Sequence, residues 1–241
     1  MKAATNYRVL IPNAFTAFSL ILGLIALYKT SQGEFVEAAW IIAASMVCDF
    51  LDGKLARLLH ASSKFGAWFD SVADFIAFGV VPGFLAFKAS FQQIHFFGWF
   101  IAAFYVIAGG FRLIRFTLSL ADTTTKKPFI GLPIPAAAGT ISSFCLINFY
   151  VWNEIKSPDL FLTIVFLVSI LMVSKIEYLP LEKGKKITPE SKFFIGLLVL
   201  SFLAALRYPY FIFIAWITIY ILYGVCRHLI LIGKKNNRLG R

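Results

Sequence analysis

The chain has 241 residues, 59% of them hydrophobic and 15% charged, with a mean hydropathy of +0.79. Values so far from those of an average soluble domain exclude a water-soluble globular fold and mark an integral membrane protein. The net charge of +11 is read as topology and attraction to anionic headgroups, not nucleic-acid binding, since each juxtamembrane Lys or Arg contributes about 1 kcal/mol near such a surface.

Hydropathy predicts spans over 11–29, 36–58, 67–88, 95–117, 131–152, 158–175, 192–206 and 209–231. A bilayer needs about 20 apolar residues, so the seventh is short. The predicted fold is all-α, a polytopic membrane bundle of about eight helices, range six to eight, forming a single domain over 1–241 with its motif core at 49–74. Residues 1–30 look superficially like a secretory signal, yet no small-residue cleavage site follows Leu27-Tyr28-Lys29 and Pro12 suits a first helical turn. A retained first span is expected.

With both termini on the cytoplasmic side, 19 of the 23 basic residues fall inside, leaving only Lys29, Lys88, Lys156 and Arg207 outside. That is a strong positive-inside bias, and it opens the junction of the second and third spans toward the cytoplasm. Cys48, Cys145 and Cys226 stand alone without metal-type spacing and are expected to pack as small apolar side chains.

Four of the six aspartates, Asp49, Asp52, Asp70 and Asp74, lie within 26 residues of this apolar background. A carboxylate at mid-helix costs roughly 2.5–3.5 kcal/mol even on insertion scales, so the cluster demands a compensating partner. The i, i+3 step from Asp49 to Asp52 and the i, i+4 step from Asp70 to Asp74 each put two carboxylates on one helix face. Two such helices facing each other make an oxygen cage suited to Mg²⁺ or Mn²⁺, which a diphosphate substrate would complete.

The full string is Asp49-x-x-Asp52-Gly53-x-x-Ala56-Arg57, eight residues, then Gly66-x-x-x-Asp70-x-x-x-Asp74. It resembles the signature of the CDP-alcohol phosphotransferase family, integral membrane enzymes that use a CDP-linked lipid or alcohol and release CMP. All eight fixed positions agree at the required spacing. Further segments are similar to the membrane-spanning members that hand a phosphatidyl group to serine: Ile11-Pro12-Asn13-x-x-Thr16, Ser63-x-Phe65-Gly66, Phe78-Gly79-x-x-Pro82, Phe129 to Ala137 and Leu171 to Lys175. Together they cover residues 11 to about 180; the last two spans carry no matching motif.

The resemblance implies attack of the L-serine hydroxyl on the β-phosphorus of CDP-diacylglycerol, giving phosphatidylserine and CMP. It also implies two divalent ions, with Asp49 and Asp70 bridging both, Asp52 completing the shell of one, and Asp74 contacting the other and acting as proton acceptor. Arg57 would contact the diphosphate, a guanidinium being able to present two parallel donors. Pro12, Asn13, Thr16 and Ala56 would line the CDP-lipid site. Gly53 and Gly66 would either admit the nucleotide close to the backbone or pack helices closely. Ser63 would either bond the substrate or cap the third span. A homodimer in a prokaryotic cell membrane is likewise implied.

For the serine carboxylate the cytoplasmic cations Arg115, Arg112, Lys126 and Lys127 are the candidates, with topological charge the alternative role for the two arginines. Pro133 and Pro135 either shape the acceptor pocket or start the fifth span. A relative using glycerol 3-phosphate or inositol phosphate would keep the same aspartates, and a cation or proton transporter could also place acidic residues among its spans.

Overall fold

The structure, a computed structural model, describes residues 2–59, 63–91, 95–121, 129–178 and 207–239. Helices α1 (Lys2–Ser31) and α2 (Phe35–Leu58) form the first hairpin, whose turn uses Gly33 at φ 82°, a conformation glycine adopts without steric cost. Lys29 pairs with Glu34 and Glu37 across that turn. On α1 the buried positions Pro12, Thr16, Ser19, Gly23, Ala26 and Thr30 recur every three or four residues; Thr16 and Ser19 meet Asp52 and Ser45 of α2, and Gly23 lies against Ala77. Mostly small side chains let the two backbones approach, the usual basis of helix association in lipid. The Ser19 and Ser45 hydroxyls lie 2.8 Å apart, and each reaches the other's backbone carbonyl, at 3.2 and 3.0 Å. This polar lock fixes the register one turn before Asp49.

Helix α3 (Lys64–Asp74) runs through a π-helical turn (Phe75–Val80) into α4 (Val81–Ala89). Pro82 has no N–H to offer the Phe78 carbonyl four residues earlier. The fully buried Tyr105 instead donates its hydroxyl to that carbonyl at 2.7 Å, so the backbone group has a partner where no water can serve. The aspartates therefore end a helix whose continuation is rewound immediately after Asp74.

Four more helices complete the bundle: α5 (His95–Ala121), α6 (Ile134–Trp152), α7 (Pro158–Val173) and α8 (Pro209–Leu239). Pro133 is the N-cap of α6 and Pro135 lies in its first turn, so these prolines start a helix, as one of their two expected roles required. Asn153, at φ 61°, closes α6 with its N–H on the Phe149 carbonyl at 3.0 Å. The chain departs from all-helical structure at a two-residue antiparallel pairing of β1 (Phe129–Ile130) with β2 (Glu177–Tyr178). Cys145 is buried in the core, whereas Cys226 is exposed and does not pack as expected.

Among the described residues, five stretches are long and apolar enough to cross a membrane: Leu10–Ser31, Phe65–Ala89, Phe96–Leu118, Ile134–Trp152 and Pro209–His228. Helix α2 has 24 residues but carries the motif's charges, and α7 has only 16. These seven helical segments correspond in order to seven predicted spans; the remaining one, 192–206, lies outside the described residues. The architecture is a helical membrane bundle, in which five segments among the described residues meet both length and apolarity.

Candidate active site

Three carboxylates converge where α2 meets α3. One oxygen each from Asp49, Asp70 and Asp74 lies within 4.8 Å of the other two, and all three residues are half-buried. Asp49 and Asp74 are close neighbours within this trio. Like charges this close repel unless a proton or a cation lies between them. Arg112 of α5, only 7% exposed, supplies one compensating charge to Asp49 and Asp74. A hard, all-oxygen donor set with one guanidinium to balance three carboxylates fits a divalent cation.

The fourth aspartate is held differently. Asp52 is 3% exposed, and its Oδ2 accepts a 2.8 Å hydrogen bond from Thr16 Oγ1, which also reaches the Pro12 carbonyl at 3.2 Å. Asp52 remains within electrostatic reach of Asp49 and Asp70. The predicted cage is thus drawn by three aspartates, with the fourth braced by α1. Sequence reading put Thr16 in the lipid site but missed its bond to Asp52.

A cavity of about 180 Å³ adjoins the cluster. Its walls are Pro12, Asn13 and Thr16 from α1, Asp52, Gly53 and Ala56 from α2, Ser63 before α3, and Gly66, Ala67 and Asp70 from α3. Every described side chain expected at the CDP-lipid site is here, together with Ala67, which sequence reading passed over although it lies one turn before Asp70. Asp70 belongs to both the cavity wall and the carboxylate trio. Arg57 sits one turn past Gly53 on α2, but its side chain, like the whole of Lys126 and Lys127, lies outside the described residues.

The two motif glycines serve different ends. A Cβ on Gly66 would stand 2.9 Å from both Asn13 Oδ1 and Ser63 Oγ, so the absent side chain is what lets α1 and the start of α3 touch. A Cβ on Gly53 would meet nothing within 4 Å. Packing does not require glycine there, and its face stays open to the cavity. Ser63 caps α3, its Oγ accepting from the Gly66 N–H at 2.9 Å, which is the structural one of its two expected roles.

Arg115, expected first at the acceptor pocket, is held by backbone. Its two terminal nitrogens donate to the carbonyls of Ile130, Met172, Val173 and Ser174 at 2.6–3.3 Å. Those donors close the end of α7 onto the β1 segment and are engaged by backbone rather than turned to the carboxylates. Arg112, one turn earlier, is the one of the two that acts electrostatically on Asp49 and Asp74.

A half-buried acidic trio shares Asp70 with the wall of a small cavity inside a membrane helical bundle, an arrangement compatible with a membrane-embedded enzyme. The CDP-alcohol phosphatidyltransferase family model matches residues 9–176, well over half of the chain. The protein is 39% identical over 230 residues to a Helicobacter pylori protein named CDP-diacylglycerol–serine O-phosphatidyltransferase, covering 95% of each chain. Proteins of the same name from Methanocaldococcus jannaschii and Bacillus subtilis are 31% and 34% identical, over 92% and 70% of this chain and 95% and 89% of theirs. The chain belongs to the CDP-alcohol phosphatidyltransferase family.

Proposed function

We propose that this protein transfers the phosphatidyl group of CDP-diacylglycerol to the hydroxyl of L-serine, releasing CMP. The observation that carries the reading is the cavity built from Pro12, Asn13, Thr16, Gly53, Ala56, Ser63 and Gly66, which shares Asp70 with the carboxylate trio. The names of the relatives supply the acceptor. Gly53 and Ala56 leave room on α2 for the nucleotide, and Arg57 binds the diphosphate. The serine oxygen forms a bond to the β-phosphorus as the bond to the CMP oxygen breaks, and the hydroxyl proton passes to Asp74, which then releases it to water. Asp49, Asp70, Asp52 and Asp74 hold two divalent ions, Mg²⁺ or Mn²⁺. Such ions, when bound, polarise phosphoryl oxygens and neutralise charge on the departing nucleotide.

The same reading makes the chain one domain, a homodimer in a prokaryotic cell membrane, with eight spans and with the site and both termini cytoplasmic. The test is CMP release by the purified protein from CDP-diacylglycerol, with serine, glycerol 3-phosphate and inositol phosphate offered separately. Release is expected with serine alone and is expected to vanish with chelator. Release with a phosphorylated acceptor instead would change the acceptor and keep the family.

Gly53 offers a narrower check. Because a Cβ there meets no protein atom, Gly53→Ala is expected to leave the melting temperature unchanged while the added methyl intrudes on the nucleotide. The CDP-diacylglycerol KM is expected to rise about tenfold, with the serine KM unmoved. An unchanged lipid KM would take the nucleotide away from this wall.

A further inference from the structure

Thr16 stands between the cavity and the acidic end of α2. Its hydroxyl lies 2.8 Å from Asp52 Oδ2 and 3.2 Å from the Pro12 carbonyl, one turn back on α1. Reach to a carbonyl four residues earlier selects one of the two rotamers open to a helical threonine, here the one aimed at α2. A hydroxyl has one proton to give, and the shorter contact, to a carboxylate, is the stronger claim on it. Both side chains are nearly sealed, Thr16 at 5% and Asp52 at 3% exposed, although both residues belong to the cavity wall that also includes Asp70. One turn further along α1, the Ser19 and Ser45 hydroxyls meet at 2.8 Å and hold the same two helices in register.

We infer that Thr16 is a positioning residue, which fixes Asp52 on the cavity side of the carboxylate trio for metal binding rather than donating to the nucleotide. The inference rests on the metal-holding role given to Asp52 above. Asp49, Asp70 and Asp74 bring one oxygen each within 4.8 Å of the others without Asp52. Asp70 is the residue that trio and cavity share, so an ion held jointly by Asp52 and Asp70 lies on the cavity side. Such an ion needs the Asp52 carboxylate fixed in place. A hydroxyl donor does this without adding a cation that would compete with the metal, and hydrogen-bonded carboxylate ligands are the rule at metal sites. A carboxylate has about four lone-pair sites, so one bond to Oδ2 leaves Asp52 able to serve an ion. With its proton committed to Asp52, Thr16 has none to offer a phosphate oxygen.

The test compares Thr16→Val, close to threonine in shape but without the hydroxyl, with Thr16→Ala and with Thr16→Ser, which keeps it. Mn²⁺ is titrated calorimetrically into each purified protein without nucleotide, so that no substrate contact enters. Thr16→Val and Thr16→Ala are expected to lose about tenfold in Mn²⁺ affinity, and Thr16→Ser to stay within about threefold of the unaltered protein. In an Asp52→Asn background Thr16→Val is expected to cost nothing more, because the carboxylate it would misplace is already gone. At saturating Mn²⁺ the CDP-diacylglycerol KM of Thr16→Val is expected to hold within about twofold. Unchanged Mn²⁺ affinity would overturn the assignment, and a raised CDP-diacylglycerol KM beside it would make Thr16 a substrate contact. A loss in Thr16→Ser as large as that in Thr16→Val, the mark of packing, would overturn it too, as would an undiminished further loss beside Asp52→Asn. If the unaltered protein released no CMP with serine, the transferase reading would fall, while the nucleotide-free titration would still decide this one.

Discussion

Replacing Asp70 by Asn is expected to reduce CMP release about 10³-fold or more, the scale of several kcal/mol of lost charge stabilisation. No other described residue is both a wall of the cavity and a member of the carboxylate trio, so Asp70 is where a bound diphosphate and its counter-ions would meet. Asn keeps the shape and removes the charge, which separates electrostatics from packing. Without metal, three carboxylate oxygens within 4.8 Å repel one another, and removing one charge relieves that repulsion. The variant is therefore expected to melt in chelator no lower than the unaltered protein, while calorimetric Mn²⁺ binding weakens sharply. Activity that persists and still requires metal would refute the assignment of Asp70 as a shared ligand.

The parts of this site that sequence made legible are those whose geometry is local. Asp70 and Asp74, one helical turn apart, share a face wherever α3 goes, and they do. The pair Asp49 and Asp52 obeys the same rule less fully, because a step of three residues turns only about 300°, short of a full turn, and Thr16, 36 positions away in sequence, captures the second carboxylate. That bond depends on the register of α1 against α2, which the Ser19–Ser45 lock sets and no spacing rule displays. The cavity walls were legible through family resemblance, since α1, α2 and the start of α3 each bring a motif.

What stayed hidden is long-range. Helix α8, without motif residues, is seated through Ile217, which meets Gly139 of α6 beside Met46 of α2. The π-helical turn after Asp74 follows from Pro82 together with Tyr105, 23 positions further on; the proline was visible, its partner was not. The span expected over 192–206 lies outside the described residues. Arg115 is the sharpest case, because charge and position on α5 made it a good acceptor ligand, and only the arrival of the α7 terminus reveals its use.

That use leads to a prediction with a different signature. The last carbonyls of a helix have no intrahelical partner and carry the negative end of its dipole. Arg115 answers both needs for α7 at Met172, Val173 and Ser174, and ties in Ile130 with its remaining reach. Next to it, Gly131 has φ 85°, and a Cβ there would fall 2.4 Å from the Arg115 guanidinium and 2.3 Å from the Met172 carbonyl, so the strand, the helix end and the arginine are mutually fitted. Arg115→Ala leaves these carbonyls without their donor, a loss of about 2–3 kcal/mol for hydrogen bonds to a charged group at a partly solvated site. At roughly 2–4 °C per kcal/mol for a chain of this size, the apparent melting temperature in detergent is expected to fall by about 5–10 °C. Arg115→Lys keeps the charge but lacks the planar fork that spans several carbonyls, and its melting temperature is expected to lie between the two. Because the arginine acts on backbone, the serine and CDP-diacylglycerol KM values are expected to move together or not at all. A normally stable Arg115→Ala variant with a selectively raised serine KM would return Arg115 to the acceptor pocket.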